Sequence, residues 1–347
     1  MSGRDPRPRH DDRRNLPLWR VIDLGQCEPL RAVAFAEAVA RFVARGEVPN
    51  TLLFARPSSP CVSVGFHQSP AAELEPSFVR GHRLPVIRRV EGGGTVYLDP
   101  DQLFYQFVYA ATDESPGGPS DFARYLSAPI AAARALGLDG KFRPASDIVV
   151  GGRKISGNAG GEWDGAHLIS GDLLGRADVR AMADLLRLPH PALRPLLRRE
   201  IARWMTSWEV EAGRPPEWPP VQRAIVDGLS ECGLGRPEKG SPSEEEEARF
   251  RSETIHRHEQ PSWRDPPSPT LAPGQPQRKI RVAGPHGIVV FDDPSGLGLW
   301  VAVADGSRLV RAYTLDPRPE AKLQPVRAGA PERVEVARRL RAGAGFE

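Results

Sequence analysis

The chain has 347 residues, 40% of them hydrophobic, and a formal net charge of +3. That length supports one large domain with a small one, or two ordinary domains, while the near-balanced charge argues against a nucleic-acid surface. No apolar run reaches the ~18 residues that suggest a membrane span, and three cysteines (Cys27, Cys61, Cys232) without CxxC spacing argue against a disulfide framework or a zinc site and point to a reducing, cytoplasmic setting.

Residues 1–16 are polar and arginine-rich with no apolar core, and read as a disordered arm, not a signal peptide. Residues 18–23 predict a first strand. A helix follows from Pro29 to Arg45, with Phe35, Val39, Phe42 and Val43 on one face and Gly46 as its stop. Strands are predicted at 51–56 and 61–66, around a Pro-Ser-Ser-Pro turn, then at 84–90 and 95–98 on either side of Gly92-Gly93-Gly94. The aromatic run 103–110 predicts a buried strand. A helix over 121–136 ends at Gly137, and short strands follow at 147–150, 153–156 and 167–174, then a helix at 178–187 and arginine-rich helical segments to about Gly235. The composition then changes. Residues 236–278, with Ser-Glu-Glu-Glu-Glu and many prolines, read as a polar linker or excursion unable to form a core. Residues 279–314 regain three or four strands, and a short helix is predicted at 331–341. The organisation expected is an arm (1–16), a main domain (17–235), the linker (236–278) and a small β-rich region (279–347).

Two segments carry chemistry. The first is Arg88-Arg89-Val90-Glu91-Gly92-Gly93-Gly94-Thr95-Val96-Tyr97. Three consecutive glycines strip side chains from the backbone, so an elongated ligand can lie against the main chain and its N–H groups. The arginine pair suits a phosphate or carboxylate. The same run also fits a tight bend in a sheet beside two solvated arginines. It matches neither the GxGxxG dinucleotide pattern nor a GxxxxGK[ST] loop. The second segment runs from Ser146 through Asp147, Gly151, Gly152, Arg153, Lys154, Ser156 and Gly157 to Gly161. It reads as a hairpin whose strand alternation puts Lys154 and Ser156 on one face and Arg153 and Ile155 on the other. The chain has only five lysines (Lys141, Lys154, Lys239, Lys279, Lys322) among its 47 basic residues, so a lysine here stands out from a generic surface cation. Among glycines it suits an acyl carboxylate and an α-phosphate, two anions whose repulsion must be neutralised before they react. An exposed hairpin-tip lysine is the plain alternative.

Together the segments resemble the lipoate–protein ligase A family, within the biotin/lipoate ligase and octanoyltransferase superfamily. That family carries Arg-Arg-x-Ser-Gly-Gly-Gly-Ala/Thr-Val-Tyr-His-Asp and, some fifty to sixty residues on, Asn-Asp-Ile…Gly-Lys-Lys-Ile-Ser-Gly with an essential lysine. The counterparts here are Arg88–Asp99 and Ser146–Gly157. A third family element, His-Gly-Thr-Leu-Leu, resembles Ser170-Gly171-Asp172-Leu173-Leu174, and the helix with Glu37 and the Cys61–Gln68 segment resemble the family's opening. The likeness covers roughly residues 18–235.

The resemblance implies an α+β fold, a mixed sheet flanked by helices, and an ATP-dependent ligase. Lipoate or octanoate reacts with ATP, carrying Mg2+, to an acyl-adenylate. A lysine of a lipoyl-carrier domain, from a 2-oxoacid dehydrogenase or the glycine cleavage H protein, then takes the acyl group. It assigns Lys154 as the catalytic residue and Gly92, Gly93, Gly94, Thr95, Val96 and Gly157 to the acyl chain. Arg89, Asp147 and Lys154 fall to the nucleotide, and no metal ligands are assigned. Four positions depart from the pattern: Glu91 for serine, Leu98 for histidine, Ser170 for histidine and Asp172 for threonine. Two other readings stay open. A cysteine-dependent octanoyltransferase needs a thiol downstream of the lysine segment, where Cys232 is the only one. A non-catalytic protein binding acyl groups or lipoyl domains would keep the pocket and lose turnover. His256, His258 and Glu259 read as a solvated run, as do Arg198-Arg199 and the basic residues at 339–341.

Overall fold

The computed structural model describes residues 16–112, 115–267, 275–292 and 298–346. Of the expected arm only Leu16 falls among them, as does the predicted linker apart from 268–274. The described chain divides into two units. The first contains residues up to Pro70, Leu84–Ala177 and Thr206–Pro266, and the second Ala71–Arg83, Asp178–Met205 and the residues from Pro267 on.

In the first unit the strands are β1 (Leu18–Cys27), β2 (Asn50–Pro57), β3 (Cys61–Val64), β4 (Val86–Arg88), β5 (Val96–Leu98), β6 (Gln102–Tyr109), β7 (Lys141–Arg143), β8 (Asp147–Val150), β9 (Arg153–Trp163), β10 (Ala166–Leu174) and β11 (Arg236–Lys239). Eight of them form one mixed sheet in the order β11-β1-β2-β6-β10-β9-β8-β7, with β1 parallel to β2 and β11 and the remaining pairings antiparallel. The remaining three make a small sheet, β4-β3-β5. The aromatic run predicted as a buried strand is β6, every residue of which is buried. One face packs Tyr105, Phe107, Ile148, Ile155, Ile169 and Leu173 into a core with the Trp218–Glu231 helix. The opposite face is covered by α1 (Pro29–Ala44), whose Phe35, Val39 and Val43 meet Leu53, Val108 and Leu168. Pro29 sits at the start of α1, where its missing N–H costs nothing. The fold is the expected α+β arrangement, a mixed sheet flanked by helices.

The linker reading is corrected. Arg236–Lys239 joins the main sheet beside β1, and residues 244–264 are mostly helical. Phe250 is buried against Phe35, with ring centroids 5.3 Å apart. Polar composition misled because its charges are paired: fully buried Glu246 takes the guanidinium of Arg20 at 2.5 Å, and Arg249 and Arg257 pair with Asp164 and Glu37. His258, read as solvated, is buried 3.2 Å from Glu37. The predicted helix 121–136 is two helices, Pro119–Tyr125 and Ser127–Ala135.

In the second unit, β12 (Arg278–Ala283), β13 (His286–Asp292), β14 (Leu299–Asp305), β15 (Arg308–Leu315) and β16 (Gln324–Pro325) form an antiparallel sheet in chain order. The Leu193–Trp204 helix packs Leu196, Leu197 and Ile201 on one face of it, and the Pro331–Arg339 helix packs Val336 on the other.

Candidate active site

Three neighbouring strands of the main sheet set the central geometry. Gly157 on β9 is paired with Asp147 on β8 and with Asp172 on β10, so the two aspartates flank a glycine in one row. Lys154 lies three residues before Gly157, a spacing that regular alternation sends to the opposite face. The ladder breaks between them: Val149 pairs with Lys154 and Ile148 with Ser156, which leaves Ile155 as an extra residue. Such a bulge turns the strand and returns Lys154 to the face of Gly157 and the aspartates. This corrects the expected alternation. Ser156 points the other way, with its hydroxyl 2.9 Å from that of Tyr105, and Ile155 joins the same core.

The Lys154 ammonium rests over Gly157. A Cβ on that glycine would stand 2.7 Å from Lys154 Nζ and 3.3 Å from Asp172 Oδ1. A side chain at 157 would displace the ammonium, so the bare backbone of glycine is what lets the lysine cross the strand at this point. Lys154 Nζ pairs with Asp147 Oδ1 at 3.0 Å, and Arg143 donates to Asp147 Oδ2 at 2.8 Å. Burial pushes the Asp147 carboxyl up, but the charges of Lys154 and Arg143 outweigh it and hold the group below its ordinary range. Asp172 differs. Burial pushes it up to about 6, against the opposing pull of Lys154, the Gly157 N–H at 3.2 Å and Arg89.

The glycine loop lies on the same face. Gly92 N–H donates to Gly160 O of β9 at 3.0 Å, and a Cβ on Gly161 would stand 3.1 Å from Glu91 Cα and Val90 O. Backbone thus meets backbone, and the two segments singled out in the sequence are in contact. Gly93 adopts φ 82° and Gly93 and Gly94 form the exposed crest. Thr95 Oγ1 donates to Gln68 Oε1 at 3.1 Å, which also accepts from Gly65 N–H at 3.2 Å. Val96 pairs with Ser63 and packs toward Cys61, Ile87 and Leu98.

Arg89 runs beneath the loop. It is buried, and its guanidinium donates to Gly92 O at 2.5 Å, Gly94 O at 2.8 Å and both oxygens of Ser63 at 3.2 Å. Arg88 is likewise engaged: it donates to the carbonyls of Phe66 and Trp263, with its guanidinium 4.7 Å from both ring centroids. Glu91 turns inward and accepts the hydroxyl of Ser170. Burial raises its carboxyl well above the usual range. Two departures from the family pattern, a carboxylate for serine and serine for histidine, are therefore partners.

Cys61 is buried on β3, its thiol pushed up to about 12 by burial, and Cys27 ends β1, pushed up to about 11 by the same cause. Cys232 follows the Trp218–Glu231 helix and packs against its core. None lies on β8, β9, β10 or the glycine loop. No group of three or more His, Cys, Asp or Glu side chains among the described residues can hold a metal ion. Lys154, Asp147 and the glycines stand out in the sequence by type and spacing, whereas Asp172 stands out there only as a departure from the family pattern. Its signal is its even offset, two residues from Ser170 and two from Leu174, which alternation puts on one face, but its neighbour across the sheet, Gly157, carries no such mark.

Residues 28–230 match the lipoyl protein ligase A/B catalytic domain. The chain is similar to octanoyltransferase LipM of Symbiobacterium thermophilum, 33% identical over 237 residues, covering 61% of this chain and 85% of that protein. Among solved structures it is similar to an archaeal bipartite lipoate protein ligase, described with its E2 lipoyl domain, from Thermoplasma acidophilum. There the TM-score is 0.64 and the identity 22%, over 72% of this chain and 96% of that one. It is also similar to lipoate-protein ligase A bound with ATP, with TM-score 0.60 and 24% identity over 71% and 97% of the two chains. At these identities the structures speak to the fold alone.

Proposed function

Because the chain belongs to the lipoyl protein ligase A/B catalytic family, we propose that it joins lipoate or octanoate to a lysine of a lipoyl-carrier domain and activates the acid with ATP. One observation carries this reading: the Lys154 ammonium is held over Gly157 on the face where the glycine loop presents its backbone, and no thiol lies on the strands that build that face. A transfer through a cysteine thioester needs such a thiol. An adenylate route needs a cation between two oxyanions instead.

In this reading the acid's carboxylate attacks the α-phosphate of ATP and pyrophosphate leaves. The acceptor amine then attacks the acyl carbon and AMP leaves. Lys154 holds the oxygens on which charge gathers in both steps. Gly92, Gly93, Gly94, Thr95, Val96 and Gly157 border the acyl group. Asp147 orients Lys154 beside the nucleotide. Arg89 is a positioning residue, because its donors are spent on the carbonyls of Gly92 and Gly94 and on Ser63. A magnesium ion arriving with ATP keeps most of its ligands as water and phosphate oxygen, which suits a site where Asp147 is already paired with two cations.

A second reading, transfer from an acyl-carrier thioester, is favoured by the similarity to a protein named as an octanoyltransferase. Incubating a lipoyl domain with octanoate and ATP, with octanoate alone, and with an octanoyl thioester separates the two. The ligase reading expects an octanoyl mass gain in the first mixture only. A gain from the thioester without ATP overturns it in favour of transfer.

A further inference from the structure

We propose that Asp172 is the base that takes the proton from the acceptor lysine in the acyl-transfer step. The inference rests on the acyl-transfer reading above and concerns a residue the family pattern does not supply, since threonine stands there in the pattern.

An acceptor lysine reaches the site as an ammonium, with an ordinary pKa of about 10.4. It has no lone pair until a proton leaves. A base for that proton has to be anionic at working pH, beside the group that holds the acyl carbonyl, and not locked in an ion pair. Among the described residues of β8, β10 and the glycine loop, Asp147, Asp172 and Glu91 bring carboxyl groups to this face. Asp147 fails the last requirement, with Lys154 on one oxygen at 3.0 Å and Arg143 on the other at 2.8 Å. Glu91 fails because it is turned beneath the glycine loop, against Gly161, and holds the Ser170 hydroxyl.

Asp172 meets all three. Its Oδ1 accepts the Gly157 N–H at 3.2 Å. Its Oδ2 takes no side-chain donor among the described residues, and the residue keeps 7% of its surface exposed. Oδ1 and Lys154 Nζ both lie within 3.3 Å of one point above Gly157, so base and carbonyl-holding cation share a corner of the site. The charged groups facing Asp172 are Lys154 on β9 and Arg89 under the glycine loop, and the Tyr105 hydroxyl on β6 interacts with it from the opposite face of the sheet. Asp147 lies across Gly157. The two cations keep Asp172 ionised above about pH 6, and burial keeps it a stronger base than an exposed aspartate.

An acceptor N–H bond breaks and an O–H bond forms at Asp172 Oδ2. The neutral amine attacks the acyl carbon, and the oxyanion that forms is held by Lys154. The C–O bond to AMP breaks, the nitrogen gives its second proton to solvent, and Asp172 returns its own to solvent.

The test uses the full-length chain, synthetic octanoyl-adenylate, a lipoyl domain as acceptor and single-turnover rates across pH. The wild type is expected to lose rate as pH falls through about 6. Asp172→Asn is expected to be about 10²–10⁴-fold slower and to lack that limb. The gap narrows when hydroxylamine, already neutral at neutral pH, replaces the lysine. Equal rates for the two proteins, or the same limb in both, overturn the base. So does an equal deficit with hydroxylamine, which marks a role in placing Lys154. Acid-dependent pyrophosphate–ATP exchange by the wild type tests the ligase reading separately. If exchange is absent but thioester transfer is present, the same pH comparison is run with the thioester donor and decides the base there.

Discussion

Lys154 is placed by two local features, the extra residue Ile155 and the bare backbone of Gly157. The flanking aspartates are not equivalent. Asp147 is held ionised by Lys154 and Arg143, whereas the ionised form of Asp172 is disfavoured by burial, from an ordinary 3.8 up to about 6. A raised carboxyl pKa means that the folded state holds the proton more tightly than the unfolded chain. The penalty is absent below about pH 3.8, grows between there and 6, and is complete above. At 1.36 kcal/mol per unit the full penalty is about 3 kcal/mol. Asp172→Asn is isosteric and keeps an acceptor for Gly157 N–H. It is expected to be more stable than the wild type by about 2–3 kcal/mol above pH 6, with no advantage near pH 3.8. Urea unfolding at the two pH values measures this, and a pH-independent difference contradicts it. At this scale the sequence was readable where type and spacing carry the signal: the triple glycine, and one of few lysines followed by Ile-Ser-Gly. The Glu91–Ser170 pair was not, because 79 residues separate its members and only the packing of the loop on β10 brings them together. The face of Ser156 was misread because a bulge leaves no mark in an apolar-polar pattern.

Among elements, the apolar strands and α1 are legible from periodicity: β2, β6, β8 and β10 begin and end within one residue of where the sequence puts them, while β1 begins at Leu18 as expected and runs four residues further, to Cys27. The segment after Gly235 was not, because hydrophobic content is a poor guide where charges are buried in pairs. Its helix opens on a capping box in which Ser243 and Glu246 hold each other's backbone N–H. Glu246 also takes Arg20, which reaches Thr51 at 3.2 Å. Removing one partner of a buried pair leaves a charge uncompensated, at a cost of about 3–5 kcal/mol. Glu246→Ala is expected to lower stability by about that much, read from urea midpoints. Its exposed neighbour Glu245 is expected to tolerate alanine without change. Equal effects at the two positions contradict the integrated reading and restore the linker.

At the scale of the whole chain, the sequence was divided by composition into successive blocks, and the structure divides it by contact. Residues 71–83 and 178–205, which read as parts of the main domain, group instead with the C-terminal sheet. Leu74 bridges Leu186, and the Leu193–Trp204 helix supplies one of that sheet's two covers. Composition cannot reveal such interleaving, because each segment is an ordinary amphipathic stretch wherever it packs. The site escapes the difficulty, since β8, β9, β10 and the glycine loop all belong to the first unit. What joins them is chemistry, and the direct measurement is the mass of a lipoyl domain after incubation with octanoate, ATP and either the wild type or Lys154→Ala. The account predicts an octanoyl addition by the wild type and a rate lower by about 10²–10³-fold for the variant. Equal modification by both proteins would contradict it.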